Sequence, residues 1–295
     1  MTARIRAATE ADAEPCGRII FEAFKGIAEQ HAFPLDFPSP EIAIQLAQAF
    51  IADPWIFGVV AEKDGRVVGS NFLAEADPIR GVGPITVDPS VQGGGVGRQL
   101  MEVVLDRGQD AVGVRLVQDA FNTRSVALYA SLGFDVREPL LLMRGTPRSR
   151  PSSDFSVRPM TQDDVSACMA LCINVHGTER SSELRNAIQL FTPFVVERES
   201  RVTGYLSAAT FWIMNHGVAE TEQDMEALIL GAVRASLVPL AEPTGEFLPL
   251  VLGRGAEGHQ TNDPDDHGQV PGAERELFSF RSVLTDRGLS VGRSR

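Results

Sequence analysis

Gly83-Pro84-Ile85-Thr86-Val87-Asp88-Pro89-Ser90-Val91-Gln92-Gly93-Gly94-Gly95-Val96-Gly97-Arg98-Gln99-Leu100 reads as a β-rich stretch, a glycine cluster and the opening of a helix. The apolar spacing of Leu100, Val103 and Val104 marks that helix. Glycine has no Cβ, so such a loop reaches positive φ without a clash and lets a ligand approach the backbone. The first N–H groups of the following helix have no partner within it and carry the positive end of its dipole. Together these features predict a diphosphate cradle that needs no lysine. Two other phosphate loops do not fit. The dinucleotide pattern G-x-G-x-x-G would place Arg98 or Leu100 where its last glycine belongs. No G-x-x-x-x-G-K-[ST] occurs, and the only lysines are Lys25 and Lys63.

Further along, Asn122-Thr123-Arg124-Ser125-Val126-Ala127-Leu128-Tyr129-Ala130-Ser131-Leu132-Gly133-Phe134 predicts a second helix. Asn122 suits its N-cap, Gly133 suits the position after its C-terminus, and Phe134 supplies the apolar contact beyond. Asn122 and Tyr129 are about two turns apart and share a face. Gln92-x-x-Gly95-x-Gly97 directly after Val87-Asp88-Pro89 resembles the acyl-CoA pyrophosphate loop of the GNAT superfamily of N-acetyltransferases. The Asn122–Phe134 stretch resembles that superfamily's second motif. The resemblance covers residues 1–145 in full and 155–295 in outline. It implies two tandem acyl-CoA N-acyltransferase folds of the α/β class, each an α+β mixed sheet with flanking helices. It also implies acetyl-CoA as co-substrate and transfer of the acetyl group to a primary amine of a small molecule or protein. On the matching positions, the backbone of Ile85, Thr86 and Val87 would bind the pantetheine arm. Gln92, Gly93, Gly94, Gly95, Val96, Gly97 and Arg98 would hold the pyrophosphate, and Asn122 would meet the pantetheine end. Tyr129 would protonate the leaving sulfur, which has a basicity comparable to a phenol.

The general base is less determined. Many superfamily members carry a Glu on the strand entering the glycine loop, whereas Val82–Val87 holds no carboxylate. Glu75 is the leading candidate, with Asp77 and Asp88 as rivals and proton loss through a water chain as a further route. A bland alternative for each acid is a solvated turn. An acyl-CoA sensor that keeps the loop but lacks a base is therefore the rival to an enzyme. A mycothiol synthase-like tandem acetyltransferase shares the architecture without a specific motif.

The chain also repeats itself. Ile5–Asp12 aligns with Val157–Asp164, and Cys16 with Cys168 at the same offset. Phe57–Gly69 echoes Phe194–Gly204, and Leu128–Phe134 echoes Val283–Leu289, which would put Leu284 at the place of Tyr129. A repeat of this length predicts a duplicated domain, since solenoid units are usually ~20–50 residues. The expected division is a catalytic, acetyl-CoA-binding domain over 1–145, a Pro-bearing linker over 146–154, and a degenerate second domain over 155–295. A flexible loop is expected at about 253–272. At the glycine-loop position the second half reads Glu220-Thr221-Glu222-Gln223-Asp224-Met225-Glu226, whose four acids would confront a diphosphate. A single active site in the first domain follows.

The chain has 295 residues, 43% hydrophobic and 22% charged, with a mean hydropathy of −0.03, and these values exclude global disorder. Its net charge is −12 and divides evenly between the halves, which argues against nucleic-acid or anionic-membrane partners. Three cysteines and no apolar leader or span predict a cytoplasmic protein, monomer or homodimer, with no metal. Cys168, Cys172 and His176 share a helix face, but the first and last lie ~12 Å apart along the axis, too far for one ion.

Overall fold

In the computed structural model, which describes residues 3–144, 149–209, 215–237, 247–250 and 279–286, both halves begin in the same way. Strand β1 (Arg4–Ala7) leads through a 3-10 turn into helix α1 (Ala13–Gln30). Asp12 accepts the backbone N–H and the hydroxyl of Thr9 at 2.8 Å each, which satisfies donors left open at the start of the turn. Arg6 forks onto the same carboxylate at 2.7 and 2.8 Å and sends its Nε to Glu62 at 2.9 Å. In the second half Arg158 forks onto Asp164 at 2.8 and 2.7 Å and reaches Glu197 at 3.0 Å. Asp164 likewise accepts from the N–H of Thr161. Cys16 and Cys168 are both fully buried one helical turn later. The repeat is thus a duplicated charged clasp as well as a duplicated hydrophobic pattern.

After α1 come α2 (Pro40–Ala52) and the strands β2 (Ile56–Lys63), β3 (Arg66–Ala74), β4 (Ile79–Val82) and β5 (Thr86–Val87). Helix α3 (Val96–Arg107), β6 (Gly113–Asp119), α4 (Thr123–Ser131) and β7 (Phe134–Arg144) follow. β3 alternates its faces, as the two-residue period of a strand demands. Leu73 enters the core with Leu100, Met101 and Val104 of α3, while Phe72 meets Phe50 of α2 edge-on at 5.6 Å. Helices therefore cover both sides of a mixed sheet ordered β1-β2-β3-β4-β6. β4 and β6 pair in parallel and their neighbours antiparallel.

The second half contributes β8 (Phe155–Pro159), α5 (Val165–His176), α6 (Ser181–Leu190), β9 (Phe194–Arg198), β10 (Arg201–Leu206), β11 (Gly217–Ala219) and α7 (Glu222–Leu237). The antiparallel sheet runs β11-β10-β9-β8. Val195, Tyr205 and Val218 pack toward α5 and α6, while Phe194, Val196 and Leu206 pack toward α7. β12 (Phe247–Leu250) pairs with the end of β7.

The last strand, β13 (Ser279–Asp286), departs from the expected division. It lies antiparallel to β6, with Arg281 opposite Asp119 and Leu284 opposite Leu116. Residues 281–295 accordingly group with residues 1–139 as one compact unit, and 140–280 form the other. The likeness of Val283–Leu289 to Leu128–Phe134 is therefore not structural. Leu284 is a strand residue of the first unit and does not stand where Tyr129 stands in a helix. The loop expected at 253–272 lies outside the described residues, as does the part of the linker at 146–148.

Candidate active site

The strand expected to enter the glycine loop through Val82–Val87 is broken in two. Leu73 faces Val82 and Ser70 faces Thr86, so residues 83–85 stand opposite only Asn71 and Phe72. The extra residue is a β-bulge, placed where Pro84 has no N–H to donate to the ladder. On the other side, β4 and β6 stay paired only from Ile79–Gly113 to Gly81–Arg115. Beyond that point they splay apart. Residues 82–87 and 116–119 become the two walls of a cleft of about 830 Å³.

The glycine loop closes one end of this cleft. Asp88 accepts from the N–H and the hydroxyl of Ser90 at 2.8 and 2.6 Å and pairs with Arg66, so its carboxyl lies below the usual range, chiefly through Ser90. Gln92 donates to the Val87 carbonyl at 3.0 Å. Gly93 and Gly95 take φ of +87° and +81°, and Gly95 is the N-cap of α3. A Cβ on Gly93 would sit 2.9 Å from Nη2 of Arg124, which also donates to Gln92 at 3.4 Å through Nη1. Arg98 reaches Ser131 at 2.5 Å and ties α3 to α4. Two arginines and the open N–H groups of a helix start thus converge on one end of the cleft, and these donors fit a diphosphate.

Of the residues expected from sequence, Ile85, Thr86, Val87, Gln92, Gly93, Gly95, Val96, Gly97, Arg98, Asn122 and Tyr129 line the cleft. Gly94 belongs to the loop without lining it. The Asn122 side chain caps α4 by accepting from the Ser125 N–H at 3.3 Å. Tyr129 is 5% exposed and packs edge-on to Phe134 at 6.0 Å. Burial raises its hydroxyl above the ordinary phenol value, and a hydrogen bond with Ser125 offsets part of that rise, so it holds its proton at neutral pH.

Glu75, the expected base, is not brought to the cleft. Its carboxylate takes a two-bond fork from Arg107 at 2.9 and 3.0 Å and lies 3.4 Å from Arg80. Three other groups also line the cleft: His31, Asp119 and Arg124. Arg124 was legible from its place two residues after Asn122. The other two needed the folded chain.

A bulge between β4 and β5, a sheet splayed between β4 and β6, a glycine loop at a helix start and a buried tyrosine lining the same cleft define an acyl-CoA N-acyltransferase fold. The profile described as "Acetyltransferase (GNAT) family" matches residues 24–134. An N-alpha-acetyltransferase RimI of Mycobacterium tuberculosis is 34% identical over 134 residues, which are 44% of this chain and 77% of that protein. The chain belongs to the GNAT acetyltransferase family. A mycothiol acetyltransferase of Thermomonospora curvata is 36% identical over 122 residues, 40% of this chain; the match spans only 38% of that protein's length. A solved tandem GNAT protein from the clavulanic acid biosynthesis pathway shares the fold, with a TM-score of 0.56 at 15% identity. That likeness covers 96% of this chain and 98% of that one.

The corresponding place in the second unit is built otherwise. Asp224 is fully buried; burial pushes its carboxyl up, but bonds from Arg198, Thr221 and Thr203 outweigh this and hold it low. Glu220 is engaged by Arg201 and Arg198. Two of the four acids expected to repel a diphosphate, Glu220 and Asp224, are thus paired with arginines, and Asp224 bonds the Thr221 hydroxyl at the start of α7. Cys168 is pushed up to about 12 by burial and stays a thiol, which does not suit a metal ligand. Among the described residues no cluster suited to a metal occurs, and no helix is long and apolar enough to cross a membrane.

Two buried features set the response to acid. His216 is 2% exposed, 3.9 Å from the Cys172 sulfur and tilted against His176 and Tyr205. Burial, then the charges of Arg180 and His176, drive its imidazole well below 6.5. The unfolded chain binds that proton first, so stability of the second unit is lost as pH falls below about 6.5. Asp12 and Asp164 are held at about 2, first by Arg6 and Arg158 respectively. Their contribution is present above the usual carboxylate value of about 4 and is lost between there and pH 2, with Asp12 contributing ~2 kcal/mol. Thermal melts should show two successive declines, the first removed by His216→Gln. A melting temperature of the second unit that stays level from pH 7 to 5 would contradict the assignment.

Proposed function

We propose that the first unit transfers an acetyl group from acetyl-CoA to a primary amine of a small molecule or protein, at one site per chain. The observation that carries this reading is the convergence on one cleft of the α3 start, Arg98, Arg124 and the protonated Tyr129. Gln92 to Arg98 hold the diphosphate, and the backbone of residues 85–87 lies along the wall where the pantetheine amides would bond. Acetyl-CoA, when bound, supplies an activated thioester carbonyl. Tyr129 gives its proton to the sulfur as the C–S bond breaks and recovers one from the nitrogen as the C–N bond forms. The names of the two relatives, one acting in mycothiol acetylation and one on α-amino groups, support an amine with a free terminal nitrogen.

The ion pairs that hold Glu75 and Asp88 away from the cleft favour a second reading, a sensor that binds acyl-CoA without turnover. An assay of thiol release over small amines, amino acids and peptides with free α-amino groups separates them. The enzyme reading expects amide formation matched by free thiol for at least one amine. Tight acetyl-CoA binding with no thiol release from any amine would establish the sensor.

A further inference from the structure

The lining of the cleft includes an aromatic corner at His31 and Phe121. Helix α1 ends at His31, whose N–H returns to the Ala28 carbonyl. Ala32 then takes φ +50°, and Phe33 folds back to bond the same carbonyl at 2.8 Å. This turn sets His31 and Phe33 against Phe121. The imidazole stacks on the Phe121 ring at 4.8 Å and 29°, and Phe33 tilts onto it at 5.1 Å. A non-glycine residue at positive φ costs on the order of 1 kcal/mol and persists where surrounding contacts hold it. His31 is therefore an oriented side chain in the cleft wall, next in space to the residue that precedes Asn122.

An amine acceptor reaches the cleft mainly as an ammonium and must lose a proton before it can attack. The ionisable groups that line the cleft are His31, Arg98, Asp119, Arg124 and Tyr129. Guanidinium groups hold their protons, and Tyr129 is committed to the sulfur. Asp119 sits at the end of β6, 8% exposed, with its carbonyl accepting from Asn122 and Gln118. His31 is exposed at the cleft rim, carries a ring nitrogen able to accept a proton, and exchanges that proton with water directly. Glu22, Lys25 and Glu29 lie on its own helix, Asp119 lies two residues before Phe121, on whose ring His31 stacks, and Arg124 and Tyr129 of α4 line the same cleft.

We infer that His31 is the group that takes the proton from the acceptor ammonium. One N–H bond of the ammonium breaks, the nitrogen keeps the electron pair, and the proton bonds to the free ring nitrogen of His31. That pair forms the C–N bond, the C–S bond breaks, and the thiolate takes the Tyr129 proton. The second proton lost by nitrogen restores Tyr129, and His31 releases its own to water, so one proton is liberated per turnover. The inference rests on the proposed acetyl transfer at this cleft and adds the residue that activates the acceptor.

The test is the pH profile of kcat/KM for an accepted amine in the wild type, His31→Phe and Asp119→Asn, with acetyl-CoA affinity measured alongside. His31→Phe keeps an aromatic ring against Phe121 and removes only the proton acceptor. Its acidic limb should move from the wild-type position up to the titration of the amine itself, with a fall of at least ~10²-fold at pH 7. The deficit should narrow at a pH where the amine is already neutral, with acetyl-CoA affinity unchanged. An acidic limb left at its wild-type position in His31→Phe, an equal loss at every pH, or a limb that moves only in Asp119→Asn would overturn the assignment of His31 and leave acetyl transfer intact. Absence of amine turnover by the wild type would overturn both.

Discussion

Tyr129→Phe should lower kcat by about 10²-fold or more while acetyl-CoA affinity and melting temperature stay at the wild-type level. The substitution removes one hydroxyl and leaves the ring that packs against Phe134 and the α3 core. Its effect on stability is therefore small. Burial keeps the phenol protonated, and the Ser125 hydrogen bond fixes it near the start of α4. In the proposed acid role the phenol matters to the step that breaks the C–S bond and adds little to ground-state binding, so kcat falls and binding does not. Steady-state kinetics with a separate binding titration decides this. An unchanged kcat would transfer the acid role from Tyr129 to water.

Gly95→Glu should abolish acetyl-CoA binding, an expected loss of at least ~10²-fold in affinity set by charge repulsion and a blocked helix start. Gly95 is the N-cap of α3 at φ +81°, so any side chain there is strained, and a carboxylate would enter the place reserved for the diphosphate. For the wild type, acetyl-CoA at ~100 Kd stabilises the unit by ~2.7 kcal/mol, which appears as a raised melting temperature. The variant should show no such rise. Gly95→Ala adds the strain without the charge, and its intermediate effect apportions the two causes. A melting rise that persists in Gly95→Glu would remove the diphosphate from this loop.

What could be read from the sequence was what short range determines. The glycine loop, the α3 and α4 starts and the Asn122–Tyr129 spacing depend on residues within two turns of one another, and each occurs as expected. The repeat at Arg6 and Arg158 was visible as pattern, and the clasp it encodes became visible only when Glu62 and Glu197 came alongside. The bulge at residues 83–85 is a property of register between strands, and no local propensity carries it. The same limit explains Glu75. As a carboxylate near the end of a strand it had the chemistry of a base, but its partner Arg107 is 32 residues away. The His31–Phe121 stack spans an even longer loop of chain. The third echo failed for a different reason. A seven-residue likeness carries no information about whether the segment will be a helix, as at 128–131, or a strand, as at 283–286.

The evenly divided net charge acquires a structural meaning from these placements. In the first unit arginines remain at the loop, with no carboxylate between Gln92 and Leu100. In the second, Arg198 and Arg201 are consumed by Asp224 and Glu220 at the matching helix start. On the proposed reading, one half offers arginines to an anion, and the other pairs them with its own carboxylates.

The most direct test of this asymmetry is the stoichiometry of acetyl-CoA binding by calorimetric titration of the whole chain, wild type and Gly95→Glu in parallel. The structure predicts one site per wild-type chain and none in the variant. Two sites per chain, or one site that survives Gly95→Glu, would contradict it.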